Sequence, residues 1–290
     1  MSAAGTTYAR RRTAPRWLGP ALLHLLLLAF SAACLVPFLW MISTSFKRQT
    51  DVFSFSASLL PHPFVTTAYS KLIHTAPIVR WFLNSLLYAG TVTAGQLVIS
   101  TIAAYAFAQM RFKGRDTVFF IYLGTMMVPF QVTLVPLYIM MKDFGWIDTY
   151  YALIVPNILG SAFGTFLIRQ YFMTLPRDLI DAARVDGAGH ARILFLIAAP
   201  LAKPAMATVS VFAFIFFWSD FMWPLIVTNS EKNMTLTVGV ANLSHSQPAF
   251  ATDWPTLMAG TVVAIVPMLI VFLFAQKYFI RGITLTGIKG

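Results

Sequence analysis

Apolar residues in this chain fall in long blocks separated by short polar stretches. Six blocks reach the roughly 20 residues that a helix needs to cross a hydrocarbon core: Leu18–Ile42, Trp81–Ala108, Thr117–Met141, Tyr150–Ile168, Pro204–Thr228 and Trp254–Gln276. Only the fifth holds a charged residue, Asp220. None alternates with the period of two that a membrane strand requires, and lipid offers no water to unpaired backbone groups, so the blocks are expected to be helices. The pattern predicts an all-α integral membrane protein with six transmembrane helices. The first block is longer than the about 7–15 apolar residues of a secretion signal and is expected to stay as a span.

Composition agrees. The chain is 58% hydrophobic and 11% charged, with mean hydropathy +0.72, whereas charged residues make up about 25% of a soluble domain. The net charge of +11 does not point to nucleic acid, because the basic residues are spread over the short connections that flank the apolar blocks and form no extended basic patch interleaved with aromatics. Their distribution sets an orientation. Fifteen of the 21 lysines and arginines lie on one set of alternate connections and both ends, and six on the other. Both termini are therefore expected in the cytoplasm. The parts are a tail 1–17, a first helix 18–42, an outer segment 43–80, a core 81–279 with a cytoplasmic loop 174–203, and a tail 280–290. Prolines 129, 136, 156 and 267 fall within predicted spans and are expected to kink them.

Candidate chemistry is sparse. No G-x-x-x-x-G-K-[ST] loop is present, so this chain has no such cradle for ATP phosphates. The five histidines lie in unrelated segments, and Cys34 is the one cysteine; no catalytic set or metal-ligand cluster is predicted. His24, within the first apolar block, is expected to be a hydrogen-bonded structural residue. Asp220 is costly inside a span and so marks a functional site. With Trp218 and Trp223 beside it, and Asn84 near the outer start of the second span, it forms a polar-aromatic group suited to a solute pathway.

The polar stretch from Asp181 to Pro200, DAARVDGAGHARILFLIAAP, has a different character. Pro176 fits the first position of a helix, Asp178 and Asp181 fit its first turn, and Arg184 shares a face with Asp181. Leu179, Ala182, Ala183 and Asp186 mark a neighbouring face. Gly187 stands where a left-handed residue ends a helix. A second helix from His190 is expected to end at Pro200. A first helix of about nine residues is marginal alone in water and needs a docking partner.

That run resembles the E-A-A---G---------I-L-P loop of ABC-importer permease subunits. Asp181 stands for the usual glutamate, Ala182, Ala183, Gly187, Ile197 and Pro200 match, and Ala199 replaces the usual leucine. Trp218-Ser219-Asp220-Phe221-Met222-Trp223-Pro224-Leu225 resembles the W-N-[DE]-F-L-W-P-L segment of carbohydrate-type permeases. The Gln276–Thr284 and Gly287–Gly290 end, with Thr44-Ser45-Phe46-Lys47, resembles the maltose-type smaller permease subunit. The resemblance implies the type I ABC importer transmembrane fold in a bacterial or archaeal cytoplasmic membrane. It implies a non-catalytic subunit for import of a sugar or related polar solute, glycerol-phosphate-type solutes being the alternative. A proton-coupled secondary transporter is a remoter reading, weakened by the lack of relays and repeats. The implied partners are a second permease subunit, two ATP-binding cassette subunits that hold ATP and magnesium, and an extracytoplasmic solute-binding protein. Asp181, Ala182, Ala183, Asp186, Gly187 and Pro200 would couple to the ATPase.

Overall fold

A computed structural model describes residues 18–53, 60–245 and 252–284. The described residues are helical, with no strand. The first helix, α1 (Leu18–Ser45), is followed by a short outer helix α2 (Thr67–Thr75) and the 32-residue α3 (Ile78–Gln109). Then come α4 (Arg115–Gly124), α5 (Phe130–Asp143), α6 (Tyr150–Ile158) and α7 (Ala162–Thr174). The polar stretch forms α8 (Arg177–Val185) and α9 (His190–Ile193); five π-helical residues, Leu194–Ala198, lead into α10 (Ala199–Leu201). The chain continues as α11 (Lys203–Ser219), α12 (Met222–Val227), α13 (Leu236–His245) and α14 (Trp254–Thr284).

Four stretches among the described residues are long and apolar enough to cross a membrane unaided, and the number of candidate crossings reaches six when each of two bent pairs of helices is counted as one span. The tails at 1–17 and 285–290 lie outside the described residues, and α14 runs on to Thr284, past the predicted end of its span.

Three predicted spans are interrupted and not merely kinked. In the third, a 94° bend separates α4 and its terminal 3-10 turn from α5. Pro129 forces it: the residue before a proline is driven out of the helical region, and Val128 is extended at φ −82°, ψ 114°. In the fourth, Leu159–Ser161 interrupt α6 and α7, and Gly160 takes φ +118°, open to glycine at little cost. The fifth stops at Ser219, so Asp220 sits in a break between helices and not within one. Pro200 does not end the second helix of the polar stretch as expected. The preceding π turn widens the helix, gives room for the proline ring and lets it continue to Leu201. The chain then bends by 79° into α11.

α3 is the central post and packs against α6, α7 and α11, while α1 lies against α14. The segments given by charge to one side gather at one end: Gln49 bonds Thr252, Lys71 pairs with Asp253, and Arg80 reaches Lys232. Those given to the other side gather at the opposite end, where Gln109 bonds Phe172 and Arg184 bonds Gln109. Each end has its own apolar core. One is built on Trp81, Leu153, Trp218, Trp223 and Leu236, the other on Tyr105, Phe172, Ile180 and Ile193.

The α3–α6 contact is tight at Gly95. A Cβ there would lie 2.0 Å from Ile158 Cγ1, so Gly95→Ala is expected to destabilise the protein by about 1–3 kcal/mol through overpacking. A lowered thermal midpoint in detergent, partly restored in the Gly95→Ala/Ile158→Ala double variant, is the expected result.

Candidate functional site: a sealed pair of helix breaks beside a mid-span cleft

Polar residues recur about every four positions along α3, at Asn84, Tyr88, Gln96 and Ser100, and so share one face. That face meets the two inner helix breaks. A broken helix leaves unpaired carbonyls before the break and unpaired N–H groups after it, and in lipid each must find a partner. Gln96 Nε2 donates to the Asn157 carbonyl, in the last turn of α6, at 2.7 Å. The Ser100 hydroxyl donates to the Ser161 carbonyl at 3.3 Å. The Ser161 hydroxyl in turn accepts from Gly164 N–H and caps α7.

The second break is sealed from both sides. The Asp220 carboxylate faces the backbone N–H groups of Phe221, Met222 and Trp223 at the start of α12. Its own carbonyl accepts from the Thr237 hydroxyl at 2.8 Å. One group joins the two breaks: the Tyr88 hydroxyl donates to Asp220 Oδ2 at 2.8 Å and accepts from Asn157 Nδ2 at 3.2 Å.

A cleft of about 370 Å³ opens next to this network. Gln96 and Ser161 are its polar lining, and Phe163, Phe212, Phe216 and Phe217 its aromatic lining, with no lysine or arginine among its lining residues. Phe217 closes the gap to the network, with its ring centroid 5.7 Å from that of Tyr88.

The predicted pathway residues take mostly interior positions. Trp218 and Trp223 are buried, and their indole N–H groups donate to the carbonyls of Ala264 and Ala152. Asn84 is buried too; its amide donates to Lys232 and Met234 and accepts from Tyr150. Asp220 and Trp223 come together through the break, whereas Asn84 belongs to the outer end. Gln96, Ser161 and the α11 phenylalanines were not singled out in the sequence. A signal was present in the four-residue polar spacing on α3. His24 is hydrogen-bonded as expected, with Nδ1 2.6 Å from the Pro20 carbonyl.

At the end that gathers Gln49, Lys71 and Arg80, Asp148 acts as a clip. It adopts φ +61°, and its carboxylate accepts from the N–H groups of Asn229 and Ser230 at 3.0 and 2.9 Å. Its own N–H donates to Val227. Burial pushes its carboxyl up, but the hydrogen bonds from Ser230, Asn229 and Asn233 outweigh this and hold it below the usual carboxylate range.

At the opposite end α8 has the predicted form, with Pro176 just before its first residue. Gly187 takes φ +78°, and its N–H bonds Arg184 while that of Ala188 bonds Ala183, the pattern of a Schellman cap. Arg184 pairs with Asp181 at 3.5 Å. The faces divide more sharply than the sequence suggested. Ala183 turns inward with Ile180, whereas Ala182 shares the exposed side with Leu179, Asp181, Val185 and Asp186. Val185 is 87% exposed, an apolar knob that the sequence reading passed over. Pro200 lies on the helix that leads from this end towards α11.

Residues 96–285 match the family model described as "Binding-protein-dependent transport system inner membrane component". The chain is 36% identical to the arabinooligosaccharides transport system permease protein AraQ of Bacillus subtilis (strain 168), over 92% of this chain and 95% of that one. It is 33% identical to the sn-glycerol-3-phosphate transport system permease protein UgpE of Yersinia enterocolitica, over 81% and 85%. A solved bacterial ABC transporter involved in import of the acidic polysaccharide alginate superposes with a TM-score of 0.83 at 26% identity, covering 94% of this chain and 100% of that one.

The Asp148 clip has a defined pH response. Because its carboxyl is held low when folded, its stabilisation is complete above the unfolded value of about 3.9 and disappears as pH falls through the lower folded value. Amide protection of Asn229 and Ser230, corrected for intrinsic exchange, is therefore expected to be flat between about pH 7 and pH 5. Asp148→Gly keeps the left-handed backbone but removes the acceptor. It should lower that protection by about 1–3 kcal/mol at neutral pH.

Proposed function

Since the chain belongs to the family of inner membrane components of binding-protein-dependent transport systems, we propose that it imports a neutral carbohydrate through the cleft between α3, α7 and α11. The chain is a permease subunit of an ABC importer, and its multi-pass helical form fits that role. The observation that carries the substrate reading is the cleft lining: an amide, a hydroxyl and four phenylalanines, without a cation. Aromatic faces and uncharged hydrogen-bonding groups suit a polyhydroxylated ring. A phosphate ester would call for arginine or lysine, which disfavours a glycerol-phosphate substrate even though one relative carries it. Asp220, Trp218 and Trp223 serve this pathway from behind its wall, by holding α11 and α12 in place, and Asn84 steadies its outer mouth.

In this reading the partners are a second permease, two ATP-binding subunits that hold ATP and magnesium, and a solute-binding protein at the outer end. Both termini lie in the cytoplasm. The exposed side of α8 docks on an ATP-binding subunit through Leu179, Ala182 and Val185, with Asp181 and Asp186 beside them. Ala183 and Gly187 fix the helix to its own bundle, and the segment through Pro200 carries its motion to α11. ATP and the loaded binding protein favour the same one of two states.

Uptake by the assembled transporter in vesicles tests the substrate. Labelled arabino-oligosaccharide is expected to accumulate with ATP, and sn-glycerol-3-phosphate is not; the reverse result would overturn the reading. Phe212→Ala and Phe216→Ala, both at exposed positions, should raise the apparent KM for uptake by about 2–10-fold with assembly unchanged. Unchanged KM in both would remove the cleft from the pathway.

Coupling has its own test. Gly187→Val places a β-branched residue at positive φ, with strain of about 1–3 kcal/mol, and Val185→Asp charges the apolar knob. Each should reduce the ATP-binding subunit that co-purifies, or separate ATP hydrolysis from uptake, while membrane insertion is retained. Normal stoichiometry with normal uptake in both variants excludes α8 as the docking element.

A further inference from the structure

We propose that the turn between α3 and α4 is a headgroup site for an anionic phospholipid, a role separate from solute passage. The turn encloses a surface cavity of about 500 Å³ lined by Arg111, Phe112, Gly114, Arg115, Asp116 and Thr117. Its charge is unbalanced. Arg111 and Lys113 are exposed and make no hydrogen bond or ion pair with the described residues. Arg115 lies 2.9 Å from Asp116, and Arg169 lies 3.9 Å from the same carboxylate. One acid is thus held by two guanidiniums, and two further cations are left over.

The occupant must carry both a negative head and an apolar body. Thr117, in the lining, is followed one helical turn later on the same face of α4 by Phe120 and Ile121, which are 69% and 68% exposed. Phe112, 45% exposed, stands beside the unpaired cations. An inorganic anion would use the cations and leave this apolar wall bare. A phospholipid satisfies both, with its phosphate at Arg111 and Lys113 and its acyl chains along Phe120 and Ile121. The place is also right, because the turn lies at the end of a 32-residue spanning helix, where basic residues meet lipid headgroups.

The test uses the assembled transporter, extracted mildly and exchanged into bilayers of phosphatidylcholine with or without phosphatidylglycerol. Lipid that stays bound is counted by native mass spectrometry. Phosphatidylglycerol should be retained in preference to phosphatidylcholine, and the Arg111→Gln/Lys113→Gln variant should lose that preference by roughly ten-fold. The charge-keeping Arg111→Lys/Lys113→Arg variant should retain it, which separates loss of charge from a failure to fold. Added inorganic phosphate should not displace the lipid. Equal retention by the glutamine variant overturns the site, and so does displacement by inorganic phosphate. A glutamine variant that keeps its lipid but loses an ATP-binding subunit would assign the cations to a protein partner instead.

Discussion

No water reaches the middle of a bilayer, so a helix can break there only where other groups take over its unpaired backbone. This constraint organises the molecule. α3 crosses unbroken and spends one face on Gln96, Ser100 and Tyr88, which complete the interruptions of its neighbours. A Tyr88 hydroxyl with Asn157 on one side and Asp220 on the other ties the break before α7 to the break after α11. The cleft is consequently lined by one break, at Ser161, and lies beside a second that is held in register with it through one atom. Motion of either must stretch the other's hydrogen bond or carry it along.

The two ends follow different physics. Over its apolar core, the end that holds Asp148 adds polar bonds between distant segments, such as Gln49 with Thr252 and Asp148 with Asn229 and Ser230. The opposite end is held by burial, with Ile180 and Ala183 of α8 packed on Tyr105, Phe172 and Ile193. Discrete hydrogen bonds can be exchanged one by one when a partner arrives. A packed apolar face moves as a block.

Much of this was legible in the chain. Block length located all six apolar segments, and the bias of lysine and arginine sorted the connections into two groups that the structure gathers at two ends. Local chemistry located α8, whose start falls one residue after Pro176 rather than on it, and put Gly187 in its left-handed turn. Where the breaks fall was not legible from hydropathy, because Val128–Pro129 and Leu159–Ser161 are as apolar or neutral as their neighbours; Pro129 was expected to kink its span but not to break it, and Gly160 marks a break only once its backbone angle is known. Asp220 was recognised as significant but assigned to a continuous helix, since nothing local shows that Tyr88 and Thr237, remote in sequence, would seal an interruption there. α13, within the outer segment after α12, was missed because its burial depends on Trp81 approaching Gly239, a contact no periodicity foretells.

The pairing of α1 with α14 joins the first described helix to the last. During synthesis α1 is made before α14, so it waits for this packing partner while α2 to α13 are added. It must therefore tolerate a long solitary stay in lipid, which its all-round apolar surface allows: Leu22, Leu25, Leu28 and Phe30 are all more than half exposed. A chain that stops before α14 leaves that helix permanently single.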